Sequence, residues 1–140
     1  MCLSSLTKTP VKTENDIIVY KVLMRVNEDE GSKYFAPYVI SSWNGGIVYE
    51  YKKGSNFPEG EKHIMCFDDM NPPVFLLKSG FLHAFTSILK AERIALEFNR
   101  DKCIEDDHEY VVVEMKIPSG SEIYYGNDED ICSDCLIWED

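Results

Sequence analysis

Gly80-Phe81-Leu82-His83-Ala84-Phe85-Thr86-Ser87 is the stretch that decides the fold, because a β-rich run there passes through two hydroxyl residues into the chain's one helical pattern. Ile88, Ala91, Ala95 and Phe98 recur at helical spacing with Ile94 beside them, while Lys90, Arg93, Glu97 and Arg100 fall on a wetter face. Thr86 or Ser87 supplies the capping oxygen, so the pattern predicts one main helix over about 87–99. Every other patterned stretch reads as strand.

Upstream, the strand signal begins at Ile17. Ile18, Tyr20, Val22, Met24 and Val26 form one face to Val26, and Ile17, Val19 and Leu23 share the other with Lys21 and Arg25. That is a strand with a buried start and a half-exposed end, followed by an acidic turn over 27–32. Residues 34–40 and 47–51 are β-rich and joined through Asn44-Gly45, whose positive φ angles suit a hairpin, with Pro37 placing the first of the pair at an edge. Residues 52–73 read mostly as loop, with room for a short strand at His63 to Phe67. Downstream come strands at Tyr110 to Ile117, Glu122 to Tyr125 and Ile131 to Trp138, the first two joined by a turn at Pro118-Ser119-Gly120-Ser121. Residues 1–16 read as a flexible lead-in and 17–140 as a single domain. The expected fold is α+β, a mostly antiparallel twisted sheet of about six or seven strands with the helix on one face.

Bulk properties narrow the class. The chain has 140 residues, 44% of them hydrophobic and 12% aromatic, enough for an ordinary core. No apolar run approaches the roughly 18 residues of a membrane span. The first residues show neither a basic n-region nor a long apolar stretch, so no signal peptide is expected. Five irregularly spaced cysteines suit reduced thiols in a cytoplasm. The net charge of −11 lies in residues 101–140, which hold thirteen carboxylates against two lysines, while residues 1–100 sum to zero. Such a charge repels nucleic acid and anionic lipid and attracts basic surfaces.

Three constellations invite chemistry. Phe81, His83 and Phe85 share one face of an extended strand and lead to Thr86, Ser87, Lys90 and Arg93 at a helix start able to receive an anion, which fits a small nucleotide-like ligand. The same residues also fit a core strand whose histidine bonds a carbonyl and whose hydroxyls merely cap. Cys132 and Cys135, with His63 and Cys66, supply zinc-type ligands. Three residues apart on one strand, however, the cysteines would face opposite sides, with Cys135 in the core, so no metal and no cofactor are expected. Glu105, Asp106 and Asp107, and Asp128, Glu129 and Asp130, with Tyr124 and Tyr125 near them, fit either solvated turns or a docking face for a basic partner.

Met1-Cys2-Leu3, Val19-Tyr20-Lys21-Val22-Leu23, Ala36-Pro37-Tyr38, Gly80 to Phe85 before the helix, and Ile117 to Ser121 with Tyr124-Tyr125-Gly126 together resemble a family of short uncharacterised proteins of gut bacteria and their phages. That resemblance implies no defined activity, and it implies a small and a polar residue where Cys132 and Cys135 stand. Gly80 to Phe98 is also similar to the second conserved segment of ADP-ribosyltransferase-like folds, where an aromatic strand and hydroxyls lead into a helix beside the nicotinamide pocket. An upstream Arg or His strand motif is missing here, and Glu114 and Glu122 match no catalytic pattern. The resulting expectation is a cytoplasmic, non-enzymatic binding protein of phage or mobile-element type, such as a host defence inhibitor. It would engage a basic host protein through its acidic C-terminal portion or sequester a nucleotide-like ligand, without contacting nucleic acid or membrane directly. The alternative is an ADP-ribosyltransferase-like enzyme using NAD.

Overall fold

The computed structural model describes residues 3–5, 9–37, 49–58, 61–71, 73–101, 108–126 and 128–139. Among them the chain forms thirteen strands and one helix, with all strand pairings antiparallel. The α+β class stands, but the strand number is about double the six or seven expected. Several strands are only two or three residues long, too short to leave a period in the sequence.

The spine is β3 (Ile17–Glu28) paired with β10 (His108–Ile117) from Ile17↔Ile117 to Val26↔His108. Beyond β10 lie β13 (Leu136–Trp138) and β6 (Gly54–Asn56). On the other side β3 changes partner along its length. Its first half meets β9 (Leu82–Phe85) at Tyr20↔Phe85, and its second half meets β4 (Gly31–Phe35) from Met24 to Glu28. Past β9 come β12 (Asp130–Ser133), β11 (Glu122–Tyr125) and β2 (Val11–Lys12). The expected pairing of the chain around 34 with that around 51 is present, as β4 pairs with β5 (Glu50–Tyr51). Its Asn44-Gly45 turn lies outside the described residues. β4 is flanked on both sides, so it is not the edge strand that Pro37 implied; Pro37 stands beyond its last residue.

A separate three-stranded sheet joins β1 (Leu3–Ser5), β8 (Val74–Ser79) and β7 (His63–Phe67) in the order β1-β8-β7. The strand at His63 is the expected one. The N-terminal stretch read as a flexible lead-in therefore contributes β1, with Ser5 buried, and β2.

Side-chain alternation sorts the core into an inside and an outside. Val19, Leu23, Tyr51, Leu82, Ala84, Met115, Ile117, Ile123, Ile131, Leu136 and Trp138 converge on one cluster. Seven strands feeding one apolar cluster require the main sheet to curl around it. The opposite, convex face is covered twice. Helix α1 (Ile88–Asp101) lays Ala91 and Ala95 on Val22 and Phe85, and the small sheet sets Leu77 against Phe81, Tyr124 and Cys132. The helix begins one residue later and ends two residues later than the expected span of about 87–99. Ile88 does not face the core as its spacing implied; it is exposed, as are Leu89 and Leu96. Gly80 turns β8 into β9 at φ 80°, and a Cβ there would lie 2.6 Å from the Lys62 nitrogen, so glycine is needed for both conformation and space. No helix among the described residues is long and apolar enough to cross a membrane.

Candidate functional site

The β9–α1 junction carries most of the chemistry-bearing side chains. Alternation along β9 sends Leu82 and Ala84 inward and Phe81, His83 and Phe85 outward, as expected for a shared face. The outward face is closed off, however. Phe81 packs edge-on against Tyr124 with ring centroids 5.4 Å apart, and Phe85 is pinned under Ala91 and Ala95. His83 stands between these clusters, directly across from Cys132, whose sulfur lies 3.0 Å from Nδ1. Burial, with the Lys21 charge adding to it, pushes His83 down to about 3, so the ring is neutral at physiological pH.

Lys21 lies behind this strand. The sequence sets it on the face of Ile17, Val19 and Leu23, as a charge which that face carries, and it is only 6% exposed, because that face turns into the curled interior. It stands where β3 has left β9 and not yet met β4, and its Nζ fills that fork by donating to the His83 carbonyl at 2.6 Å, with the Tyr51 ring centroid 5.4 Å away. Desolvation lowers its pKa to about 8, against a smaller opposing influence from Cys132. The space lined by Lys21, Val22, Pro37, His83, Phe85 and Asp130 amounts to about 10 Å³, room for about one water.

Two of the remaining candidates at the helix start, Thr86 and Lys90, are engaged by the hairpin turn between β11 and β12. Thr86 donates both its N–H and its hydroxyl to the Glu129 carbonyl, at 2.8 and 3.1 Å. Ser87 caps α1 by accepting from the Lys90 N–H at 3.3 Å. The Lys90 ammonium sits 2.5 Å from the Asp128 carboxylate, and that bond and charge hold Asp128 below the usual carboxylate range. Arg93 is exposed on the helix. The turn itself is organised: Gly126 N–H donates to the Asp130 carbonyl, Asp128 N–H donates to the Asp130 side chain, and Glu129 takes φ 61°. Its two flanking tyrosines part company. Tyr124 is buried among Phe81, Leu77 and Cys132 and presents nothing to a partner, whereas Tyr125 is 52% exposed. Glu105, Asp106 and Asp107 lie outside the described residues.

The last expected strand, Ile131 to Trp138, is in fact two. The Ser133 hydroxyl donates to the Cys135 carbonyl and accepts from the Cys135 N–H, folding the backbone between β12 and β13. Cys132 and Cys135 are both buried, Cys132 under the small sheet and Cys135 with its thiol pKa raised by desolvation. His63 is exposed, and so is Cys66, whose thiol bonds Asp68. No three His, Cys, Asp or Glu side chains converge on one point among the described residues. Glu114 is exposed on β10, whereas Glu122 on β11 pairs with Lys62 at 3.1 Å, and β12, β9 and β3 stand between their strands.

Sequence reasoning missed Lys21 and Cys132 as the neighbours of His83. The first was hidden by its charge, and the second depends on a cross-strand register between residues 49 apart. Comparison with family models, curated proteins and solved structures finds no match to this chain.

Proposed function

We propose that this is a non-enzymatic binding protein that engages a basic protein partner through the acidic turn between β11 and β12 and the adjoining first turn of α1. The observation that carries the reading is the closure of the His83 space to about 10 Å³, beside an acidic turn bonded firmly to the helix start. A nucleotide-like ligand needs a pocket of at least about 300 Å³. The groups that would hold its phosphate, Thr86 and Lys90, already serve Glu129 and Asp128. What the junction offers outward is acid and apolar surface: the Asp128 and Glu129 side chains are exposed on the turn, and Ile88 and Leu89, the latter at 74% exposure, are exposed on the first turn of the helix that it bonds. A rim of charge around exposed aliphatic groups is the composition of a protein-docking surface.

The phage-type setting rests on the resemblance to short proteins of gut bacteria and their phages, and a host protein as partner on the exposed acids of the turn. Action in a cytoplasm fits the odd number and irregular spacing of the five cysteines. The test is to isolate partners of the tagged protein from bacterial lysate, then measure affinity at low and at physiological ionic strength. Exposed charges are screened over about 8–10 Å, so affinity should fall with salt, and Glu129→Lys and Leu89→Asp should each weaken it without altering the fold. Affinity indifferent both to salt and to these two substitutions would refute this docking surface.

A further inference from the structure

Among the described residues, the edge of β10 facing away from β3 is capped at one end, paired at the other and open between. In an antiparallel ladder the peptide groups of alternate residues point to opposite edges. Tyr110 shows which way they run: its N–H donates to Asn99 Oδ1 at 2.8 Å, and its carbonyl accepts from Asn99 Nδ2 at 2.9 Å. The Asn99 amide thus stands in for the peptide of a neighbouring strand, and the even-numbered residues of β10 direct their backbone groups away from β3. At the far end Lys116 pairs with Ile137 of β13, the one residue pair those strands share. Between the two, Val112 and Glu114 meet no strand among the described residues. Where the pairing with β13 stops, a groove of about 330 Å³ opens, lined by Ile18, Val113, Glu114, Ile137, Trp138 and Glu139.

An open edge of this kind is a template for another strand. Its charge states what kind. Glu114 is exposed and has no ion-pair partner among the described residues, and the single Lys116 is shared between Glu139 at 2.7 Å and Asp16 at 3.7 Å, leaving the rim negative. We infer that this edge takes up an extended basic segment of a partner protein as an added strand between Asn99 and Ile137. Its backbone pairs with Val112 and Glu114. Its side chains alternate, apolar ones toward Val113 and Trp138 and cationic ones toward Glu114 and Glu139. This groove is separate from the acidic hairpin turn, since β3 and β9 lie between β10 and β12 in the sheet.

The probe is a capped peptide alternating valine with lysine, titrated into the isotope-labelled full chain, with hydrogen exchange read at individual amides. Saturable binding should slow exchange at the Val112 and Glu114 amides. Glu114→Lys, at an exposed position, should weaken binding by about tenfold or more. Methylating alternate peptide nitrogens should abolish the protection, because the methyl groups remove the donors that a strand needs. Absence of saturable binding, or equal binding of the methylated peptide, overturns the inference. So does protection of the same two amides on raising protein concentration without peptide, which would assign the edge to a second copy of the chain. If Glu114→Lys does not fold, the methylated peptide decides alone.

Discussion

Replacing Lys21 by methionine removes a buried ammonium while leaving a chain of similar reach to fill the fork between β9 and β4. The fall of its pKa from 10.5 to about 8 corresponds to roughly 3 kcal/mol by which folding disfavours the charged amine. Methionine escapes that cost but leaves the His83 carbonyl without its donor, a loss of about 1–2 kcal/mol. Near neutral pH the variant should therefore be the more stable by about 1–2 kcal/mol. The sign of the pH dependence follows from linkage. Because the folded pKa lies below the unfolded one, the unfolded chain binds more protons between about pH 8 and pH 10.5, and wild-type stability gains from Lys21 as pH rises through that window. By about pH 10 the amine is neutral in the folded protein and most of the penalty is gone, while the lost hydrogen bond remains, so the order should invert.

The assay is urea unfolding of both proteins near neutral pH and again near pH 10, followed by circular dichroism. Other groups titrate alike in the two proteins and cancel in the difference. A variant less stable than wild type near neutral pH, or a difference that does not change with pH, would refute the reasoning. Either result would mean that the Lys21 bond to His83 and its contact with Tyr51 outweigh desolvation.

His83 titrates in the opposite range: its pKa falls from 6.5 to about 3, so protons bind the unfolded chain first and stability should drop as pH falls through that interval. His83→Gln should flatten that part of an unfolding-versus-pH curve, and an unchanged slope would place the acid sensitivity elsewhere. Gly80→Ala should cost about 2 kcal/mol or more, from the positive φ and from a Cβ set 2.6 Å from the Lys62 nitrogen. A melting temperature within a degree or so of wild type would show that the turn relaxes freely. Asn99→Ala strips both of these hydrogen bonds from Tyr110, so it should destabilise by about 1–3 kcal/mol in urea unfolding, and a change below about 0.5 kcal/mol would show that water replaces the amide at no cost.

The parts of the fold visible in the sequence are those long enough to repeat a period. β3 and β10 alternate over ten or more residues, and α1 shows Ala91 and Ala95 at helical spacing. β8 was missed because Val74-Phe75-Leu76-Leu77 is a continuous apolar run that carries no alternation. β2 and β6, of two and three residues, are defined by their partners and not by their own composition. The break at Ser133 turns on one side chain bonding the backbone two residues ahead, a local competition that alternation does not register. At the candidate site, the common face of Phe81, His83 and Phe85 follows from parity alone. What surrounds it does not. That Cys132 faces His83 depends on the β9–β12 register, and that Lys21 turns inward depends on how far the sheet curls.

The charge shows the same separation between order along the chain and order in space. The acids of residues 101–140 look like one pole in the sequence, yet folding threads their strands between older neighbours in the chain. Glu109 meets Arg25, Glu122 meets Lys62, Asp128 meets Lys90 and Asp101 meets Arg100. Exposed pairs of this kind contribute only about 0–1 kcal/mol each to stability, so their larger effect is on the field. They cancel the pole wherever a base from the first hundred residues is within reach. Among the described acids of this segment, Glu114, Glu129, Asp130 and Asp134 have no cation within ion-pair distance. Glu129 and Asp130 stand on the turn between β11 and β12, and Glu114 on the open edge of β10. A basic partner approaching at low salt would thus feel a general attraction from the net charge of −11, but would find unneutralised carboxylates on the turn bonded to the helix start and beside the β10 groove. Charge reversal at Glu129 and at Glu114 should for that reason act on two different contacts. If their effects on one partner prove additive, both surfaces touch it. If one substitution is silent for that partner, the two surfaces serve different ones.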